Sequence, residues 1–416
     1  MAATRSSQAK PVRPGPSPGS SPGPRLSLRA LNRATLDRQL LLRRAALAPQ
    51  DAVEHVLGLQ AQNVKPPYYA LAARLADFDP EDLSALIASR ELVRIVTMRS
   101  TIHLHSADDA LTLRPLVQAA IGRELNGFRK GLVGVDLDRV AALAREAVEA
   151  EPRTMKQLRE VLVPNWPEAD PQSLGVAARC LLPLVQVTPR GLWRRSGQVS
   201  LTTVEHWLGR PAEPTPAPDG PDGPDGPDGP DGPDGLDAPD TPDSRDNTVL
   251  RYLAAFGPAS VKDMQTWAGL TRLRAVFERL RPGLLTFQDE NGVELFDLPD
   301  APRPDPDTPA PPRLLPEYDN LLLSHADRTR VVPPEYKGRT WQGNYGYSVL
   351  MVDGFLAGVW SLEEAKDAAT LTVEPFGKLT KAQRAEVVEE AARLLEGPMG
   401  QGTPYDIRFG TVVGAS

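Results

Sequence analysis

Apolar positions along the first quarter of the chain change period. Leu36, Leu40, Leu41 and Ala45 recur at helical spacing, as do Val53, Val56 and Leu57. The run DPEDLSALIASREL adds a third helix, with Asp79 as N-cap and Pro80 at the first helical position. The stretch VRIVTMRSTIHLHS then alternates. Val96, Met98, Ile102 and Leu104 share one face, and Thr97, Arg99, Thr101, His103 and His105 share the other, which predicts a hairpin with a wet face. Ser106, with Asp109 three residues on, starts a further helix.

Three helices and a two-stranded ribbon are the element order of a winged helix. The order recurs in EPRTMKQLREVL, DPQSLGVAARCLLPLVQ and the ribbon-like VQVTPRGLWRRSGQVSL. It recurs again in NTVLRYLAAFGPASVKDMQTWAGLTRLRAVFERL with LLTFQDENGVELFDL, where Asp289 to Gly292 form the turn. The last hundred residues differ. YSVLMVDGFLAGVW is a hairpin with Asp353-Gly354 in its turn, ATLTVEPF is another strand, and TKAQRAEVVEEAARLLE is an amphipathic helix opened at Thr380. The expected fold is therefore α+β: three tandem winged helices followed by a small C-terminal β-rich domain that carries one helix.

The domain bounds follow. Residues 1–29 carry Arg5, Lys10, Arg13, Arg25 and Arg29 without an acid, among Ser, Pro and Gly, and are expected to form a disordered basic tail rather than a signal peptide. Winged helix 1 with connecting helices spans 30–146, winged helix 2 spans 147–209, an acidic Pro-Asp-Gly linker spans 210–247, winged helix 3 spans 248–300, and the β-rich domain spans 301–416. The linker contains six Pro-Asp-Gly triplets over residues 218–235. Its glycine period is that of collagen, but six triplets in one chain suit successive turns in a solvated spacer, or an acidic mimic of nucleic acid.

Composition changes this picture at three points. The 416 residues carry a net charge of −7, yet residues 213–246 alone hold Glu213, ten Asp and Arg245, a local −10 that leaves +3 elsewhere. The acidic total therefore does not exclude a nucleic-acid partner. Hydrophobic residues at 41%, with no apolar run long enough for a membrane span, point to a cytoplasmic protein and exclude an integral membrane protein. A single cysteine, Cys180, and five histidines leave no set for a disulfide or metal site, and neither a metal nor a cofactor is expected.

The candidate chemistry is concentrated in LGLQAQNVKPPYY, residues 57–69. Side chains at i and i+2 diverge by about 200° on a helix, so Gln60 and Gln62 share a site only on an extended or looped path, which Pro66-Pro67 favours. Two solvated glutamines beside a turn fit the same three letters. On the hairpin, Arg99, Thr101 and His103 suit a phosphate backbone, as do Arg190, Arg194 and Arg195 of RGLWRRSG; an ordinary exposed sheet face and a solvated turn are the bland alternatives.

With these blocks in place, the chain resembles the winged-helix DNA glycosylases of the AlkZ type. The likeness lies in LNRATLDRQLLLRRA, AVEHVLGLQAQNVKPPYYALAARL, LVRIVTMRSTIHLHSADD, LLPEYDNLLLSHADR and VLMVDGFLAGVW, in that order, from about residue 28 to 410 and excluding the acidic linker. The resemblance implies three tandem winged helices and a C-terminal barrel-like β domain around a basic concave surface, cleavage of the N-glycosidic bond of N7-alkylpurines and unhooking of interstrand crosslinks. The family's motif of glutamine, an apolar residue, then glutamine or aspartate falls on Gln60, Ala61 and Gln62. Tyr318 and Asp319 of LLPEYDN, with His103, line the cleft on this likeness, or serve the core or surface.

The chemistry is independently coherent. A carboxamide is no general base at neutral pH, but an N7-alkylpurine is already cationic and departs neutral. What remains is to hold water and to stabilise positive charge growing on the sugar, a task for fixed amide dipoles. No lysine is placed by motif for a Schiff base, so a monofunctional enzyme is expected, acting as a monomer on double-stranded DNA that carries alkylated or crosslinked purines. The competing classes are a non-catalytic winged-helix DNA-binding regulator and a drug-sequestering resistance protein.

Overall fold

The computed structural model describes residues 23–212, 244–343, 345–365, 368–397 and 404–411. The Pro-Asp-Gly triplets lie outside the described residues. No helix among those described is long and apolar enough to cross a membrane.

Helix α1 (Leu28–Arg38) starts on the Ser27 cap. The preceding chain is ordered rather than tail-like: Leu26 N donates to Gln288 O at 2.8 Å and Gln288 N to Pro24 O at 3.1 Å. Residues 23–29 of the expected tail are therefore structured. Helix α1 also ends earlier than the periodicity suggests, because Leu40 is left-handed (φ 58°) and Leu41 turns into the core. There follow α2 (Pro49–His55), a short strand β1 (Leu59–Gln60), α3 (Pro66–Arg74) and α4 (Pro80–Ala88). Pro66 and Pro67 thus open a helix, at positions whose N–H groups have no helical acceptor, rather than prolong an extended run.

Strand β2 (Leu92–Val96) and strand β3 (Ile102–Ser106) form the expected hairpin through a 3-10 turn, Met98–Ser100. Helices α5 (Ala107–Leu116), α6 (Gln118–Arg123), α7 (Leu137–Ala150), α8 (Met155–Leu162) and α9 (Pro171–Leu181) lead to β4 (Leu184–Gln186), β5 (Leu201–Thr203) and α10 (Val204–Leu208). The strands form one sheet in the order β1-β3-β2-β4-β5, with Arg94 opposite Gln186 and Ile95 opposite Val185. Both ribbons therefore share a sheet that runs across residue 146.

After the undescribed linker, α11 (Ser244–Phe256), α12 (Val261–Ala268) and α13 (Arg274–Leu280) precede the hairpin of β6 (Leu285–Gln288) and β7 (Glu294–Asp297). Then come β8 (Arg313–Leu315), α14 (Asn320–Leu323), a small ribbon of β9 (Trp341–Gln342) and β10 (Tyr345–Gly346), β11 (Ser348–Val352), β12 (Phe355–Glu364), β13 (Ala369–Pro375), α15 (Lys381–Glu396) and β14 (Tyr405–Phe409). Asp353 and Gly354 both have positive φ, as the tight β11–β12 turn requires. The C-terminal sheet is ordered β14-β13-β12-β11-β8 and does not close, so the barrel-like expectation becomes an open sheet with α15 packed against it.

Helix α1 is the hub of the molecule. Asn32 Nδ2 donates to Gly354 O at 2.8 Å and Arg330 O at 2.7 Å, while Arg29 pairs with Asp353 at 2.8 Å. At its C-terminal end Arg38 forms a buried two-pronged pair with Asp297, at 2.6 and 2.9 Å, and Gln39 Nε2 reaches Ala255 O at 2.7 Å. A second buried pair, Arg74 with Asp319 at 2.8 Å on both prongs, joins α3 to the N-cap of α14.

Candidate active site

The path into Gln60 is set by a glycine. Gly58 has φ +89°, and a Cβ there would lie 2.3 Å from the His105 ring, so only glycine lets the chain leave α2 and enter β1 against β3. Asn320 holds this bend from the far side, its Nδ2 donating to Gly58 O at 2.7 Å and Val56 O at 3.1 Å. Gln60 then pairs with His103, and Ala61 N donates to Ile102 O at 2.7 Å. Ala61 O accepts from Arg94 Nη2 at 2.6 Å. The backbone between the two glutamines is thereby fixed on both sides.

Both carboxamides turn to the same feature, the β2–β3 connection. Gln60, 8% exposed, accepts at Oε1 from Arg99 Nη2 at 3.2 Å. Gln62, exposed, accepts at Oε1 from Ile102 N at 3.3 Å. Each partner is an obligate donor, so the amide orientations are fixed chemically: oxygen toward the hairpin, NH2 away from it. Each carbonyl keeps a second lone pair. The structure thus joins Gln60 to Arg99 and Gln62 to the start of β3; β1 itself ends at Gln60, and Ala61 and Gln62 follow outside any helix or strand.

The wet hairpin face is a correction. Thr97, His103 and His105 are buried, at 0, 1 and 0% exposure, because α2 and α5 pack on this sheet. His103 Nδ1 donates to Thr101 O at 3.0 Å, and its pKa is held well below the usual value by burial, with Arg99 and His105 adding to the effect. Burial likewise pushes His105, bonded to Thr97 Oγ1 at 2.9 Å, down to about 4. His103 is a neutral interior group behind Gln60, not a phosphate contact. Thr101 is half-buried and bonds Met98 O at 3.1 Å. Arg99 is half-buried in a left-handed turn (φ 54°, ψ 26°) and also donates to Trp267 O at the end of α12.

The basic wing is tied down. Tyr68 Oη donates to Gly191 O at 2.7 Å, and Trp193 N to Ser84 Oγ at 2.7 Å, seating the β4–β5 connection on α3 and α4. Arg190 Nη1 donates to Gly197 O at 3.4 Å, Arg194 lies 3.6 Å from Glu364, and Arg195 is exposed. Of the block residues, Asp319 is in the buried pair above, and Tyr318 accepts from Gly346 N at 3.1 Å with its ring edge-on to Trp341.

Several neighbours escaped the sequence reading. Arg94, buried, grips Ala61 from an apparently apolar strand. Asn63 Nδ2 donates to Glu317 Oε1 at 3.0 Å, and Ser348 Oγ to Glu317 Oε2 at 3.2 Å, placing a carboxylate beside the motif. The local signals were the Asn63 next to the motif and the glutamate inside LLPEYDN. Among the described residues no group of His, Cys, Asp and Glu is arranged to hold a metal ion.

An "Interstrand DNA cross-link repair glycosylase" of Streptomyces sahachiroi is 25% identical over 380 residues, spanning 86% of this chain and 93% of that protein. The solved structure of "Streptomyces sahachiroi DNA glycosylase AlkZ" shares the fold with a TM-score of 0.70 at 19% identity, covering 93% of this chain and all of the other. The profile of the family described as "DNA glycosylase AlkZ-like" matches residues 53–396, and with that span the chain belongs to the AlkZ-like DNA glycosylase family.

Proposed function

We propose that this protein hydrolyses the N-glycosidic bond of cationic N7-alkylpurines in double-stranded DNA and unhooks interstrand crosslinks made through them. Gln60 and Gln62 hold the attacking water beneath the deoxyribose. The observation that carries this reading is the fixing of both carboxamides beside the β2–β3 hairpin, each oxygen accepting from an obligate donor, Arg99 Nη2 for Gln60 and Ile102 N for Gln62. A preorganised dipole pair stabilises developing sugar charge without reorganising, which suits a leaving group that already carries the positive charge. The name of the Streptomyces sahachiroi relative, a cross-link repair glycosylase, supports the crosslinked substrate.

On this reading the chain comprises three winged-helix units and a C-terminal β-rich body and works as a monomer near the nucleoid, with Arg190, Arg194 and Arg195 on the wing for phosphates. The test is incubation of the purified protein with N7-methylguanine duplex and, separately, with an interstrand-crosslinked duplex, followed by alkaline cleavage at abasic sites. Base release by the unmutated protein, lost in Gln60→Ala and Gln62→Ala, is expected. Tight DNA binding with no release would point instead to a non-catalytic regulator.

A further inference from the structure

Arg94 lies on β2, the central strand of the first sheet, and is 2% exposed, yet it makes no ion pair among the described residues. Arg38 and Arg74 are as deeply buried, but each is closed on both prongs by a buried carboxylate. Arg94 is left with one hydrogen bond, Nη2 to Ala61 O at 2.6 Å, while its Nε and Nη1 are buried without a partner among the described residues. Gln186, directly opposite on β4, does not engage it, and its own Oε1 is buried and unpartnered. Burial lowers the Arg94 pKa to about 10, which still leaves a cation at neutral pH. A buried charge without an acid is a cost that packing alone does not explain.

The single bond falls between the two glutamines. Peptide units are planar, so the relative direction of side chains 60 and 62 is set by the two planes that meet at Ala61. The first plane is held by Ala61 N on Ile102 O at 2.7 Å, and the second is held through Ala61 O by Arg94. The side-chain tether of Gln62, to Ile102 N, is longer at 3.3 Å. The wing in turn seats the arginine. Gly191 has φ +99°, its O accepts from Tyr68 Oη at 2.7 Å, and a Cβ there would lie 2.8 Å from Arg94 Cδ, so the wing backbone closes on the arginine stem.

We propose that Arg94 is a positioning residue for base release: its charge-assisted bond to the Ala61 carbonyl fixes the peptide plane that aims Gln62 at the water it shares with Gln60. The proposal rests on the glycosylase reading and deepens it. A guanidinium shared with a carboxylate would give part of its donor strength away, and the missing acid leaves that strength to one carbonyl. Arg94 acts through the backbone and moves no proton.

The test compares Arg94→Met and Arg94→Lys with the unmutated full-length protein, with thermal melts as folding controls. Single-turnover release of N7-methylguanine is measured at saturating protein. Affinity is measured for an undamaged duplex and for one carrying a cationic pyrrolidine in place of the lesion sugar. Misaimed groups cost rate rather than ground-state binding, so Arg94→Met is expected to release the base about tenfold or more slowly and to bind undamaged duplex within about twofold. It should also lose most of the preference for the pyrrolidine duplex. Arg94→Lys keeps a cationic donor without the planar fork and should recover part of the rate. Release and pyrrolidine preference unchanged in Arg94→Met would overturn the proposal. So would an equal loss of affinity for both duplexes with a lowered thermal midpoint, the mark of a purely structural arginine. Should Arg94→Met not fold, Arg94→Lys decides: slower release at unchanged affinity supports the proposal, and release at the unmutated rate overturns it. No release by the unmutated protein would sink the glycosylase reading itself, and this proposal with it.

Discussion

At the scale of single residues, the motif is supported more by its surroundings than by its own letters. Gln60 and Gln62 were singled out in the sequence by the family likeness that falls on them, whereas Pro66-Pro67, read there as favouring an extended run, open α3. Arg94, Asn320 and Glu317 were not singled out, since their bonds to Ala61, Gly58 and Asn63 link residues 33, 262 and 254 positions apart. No local pattern encodes such contacts. Removing a fixed dipole from a preorganised site should cost about 10²–10³-fold in single-turnover release, so Gln60→Ala and Gln62→Ala are expected to fall by that order while DNA affinity stays within a few-fold. Asn320→Ala strands two buried carbonyls and should lower stability by about 1–3 kcal/mol in urea titration. Gly58→Ala has both a forbidding φ and a Cβ 2.3 Å from the His105 ring, and should give a larger fall in thermal midpoint than the asparagine change.

At the scale of elements, alternation of residue types found the β2–β3 hairpin but misread its exposure. The rule that one face of a ribbon is wet holds for an uncovered sheet; here α5 covers the supposed wet side, and every residue of β2 is buried. Buried neutral histidines then leave a mark in solution. His103 and His105 have folded pKa values below the unfolded one, about 6.5, and His105 falls to about 4. Between those values the unfolded chain binds more protons than the folded one. The histidine contribution is therefore intact above about pH 6.5 and is lost as pH drops toward 4. Denaturation midpoints measured from pH 8 to 4 should decline in this window, and His105→Gln should flatten part of the decline. The prolines of α3 teach a related lesson: the same residues that break a helix interior are well suited to its first turn.

At the scale of the whole molecule, the order of helices and ribbons was visible in the sequence, whereas the contacts that join the units were not. Helix α1 reaches β7, α11 and the β11–β12 turn at once, through Arg38, Gln39 and Asn32, and these polar residues lie within what the apolar pattern marks as a helix exterior. Arg38→Ala would leave Asp297 buried against Arg303 alone, and a loss of about 3–5 kcal/mol is expected, read as a lower and broader chemical unfolding transition. A sharp, unshifted transition would show that α1 is not the hub. The open C-terminal sheet was likewise beyond reach, because β8 is only three residues long and β14 joins β13 in parallel after α15.

The central proposal is a pair of neutral amides matched to a departing group that carries its own charge. The most direct measurement is single-turnover release of 7-methylguanine, a cation on DNA, against hypoxanthine, a neutral base of similar shape, from otherwise identical duplexes. Release of 7-methylguanine alone, abolished by Gln60→Ala or Gln62→Ala, is the expected result. Comparable release of hypoxanthine, or undiminished release of 7-methylguanine by the two variants, would contradict it.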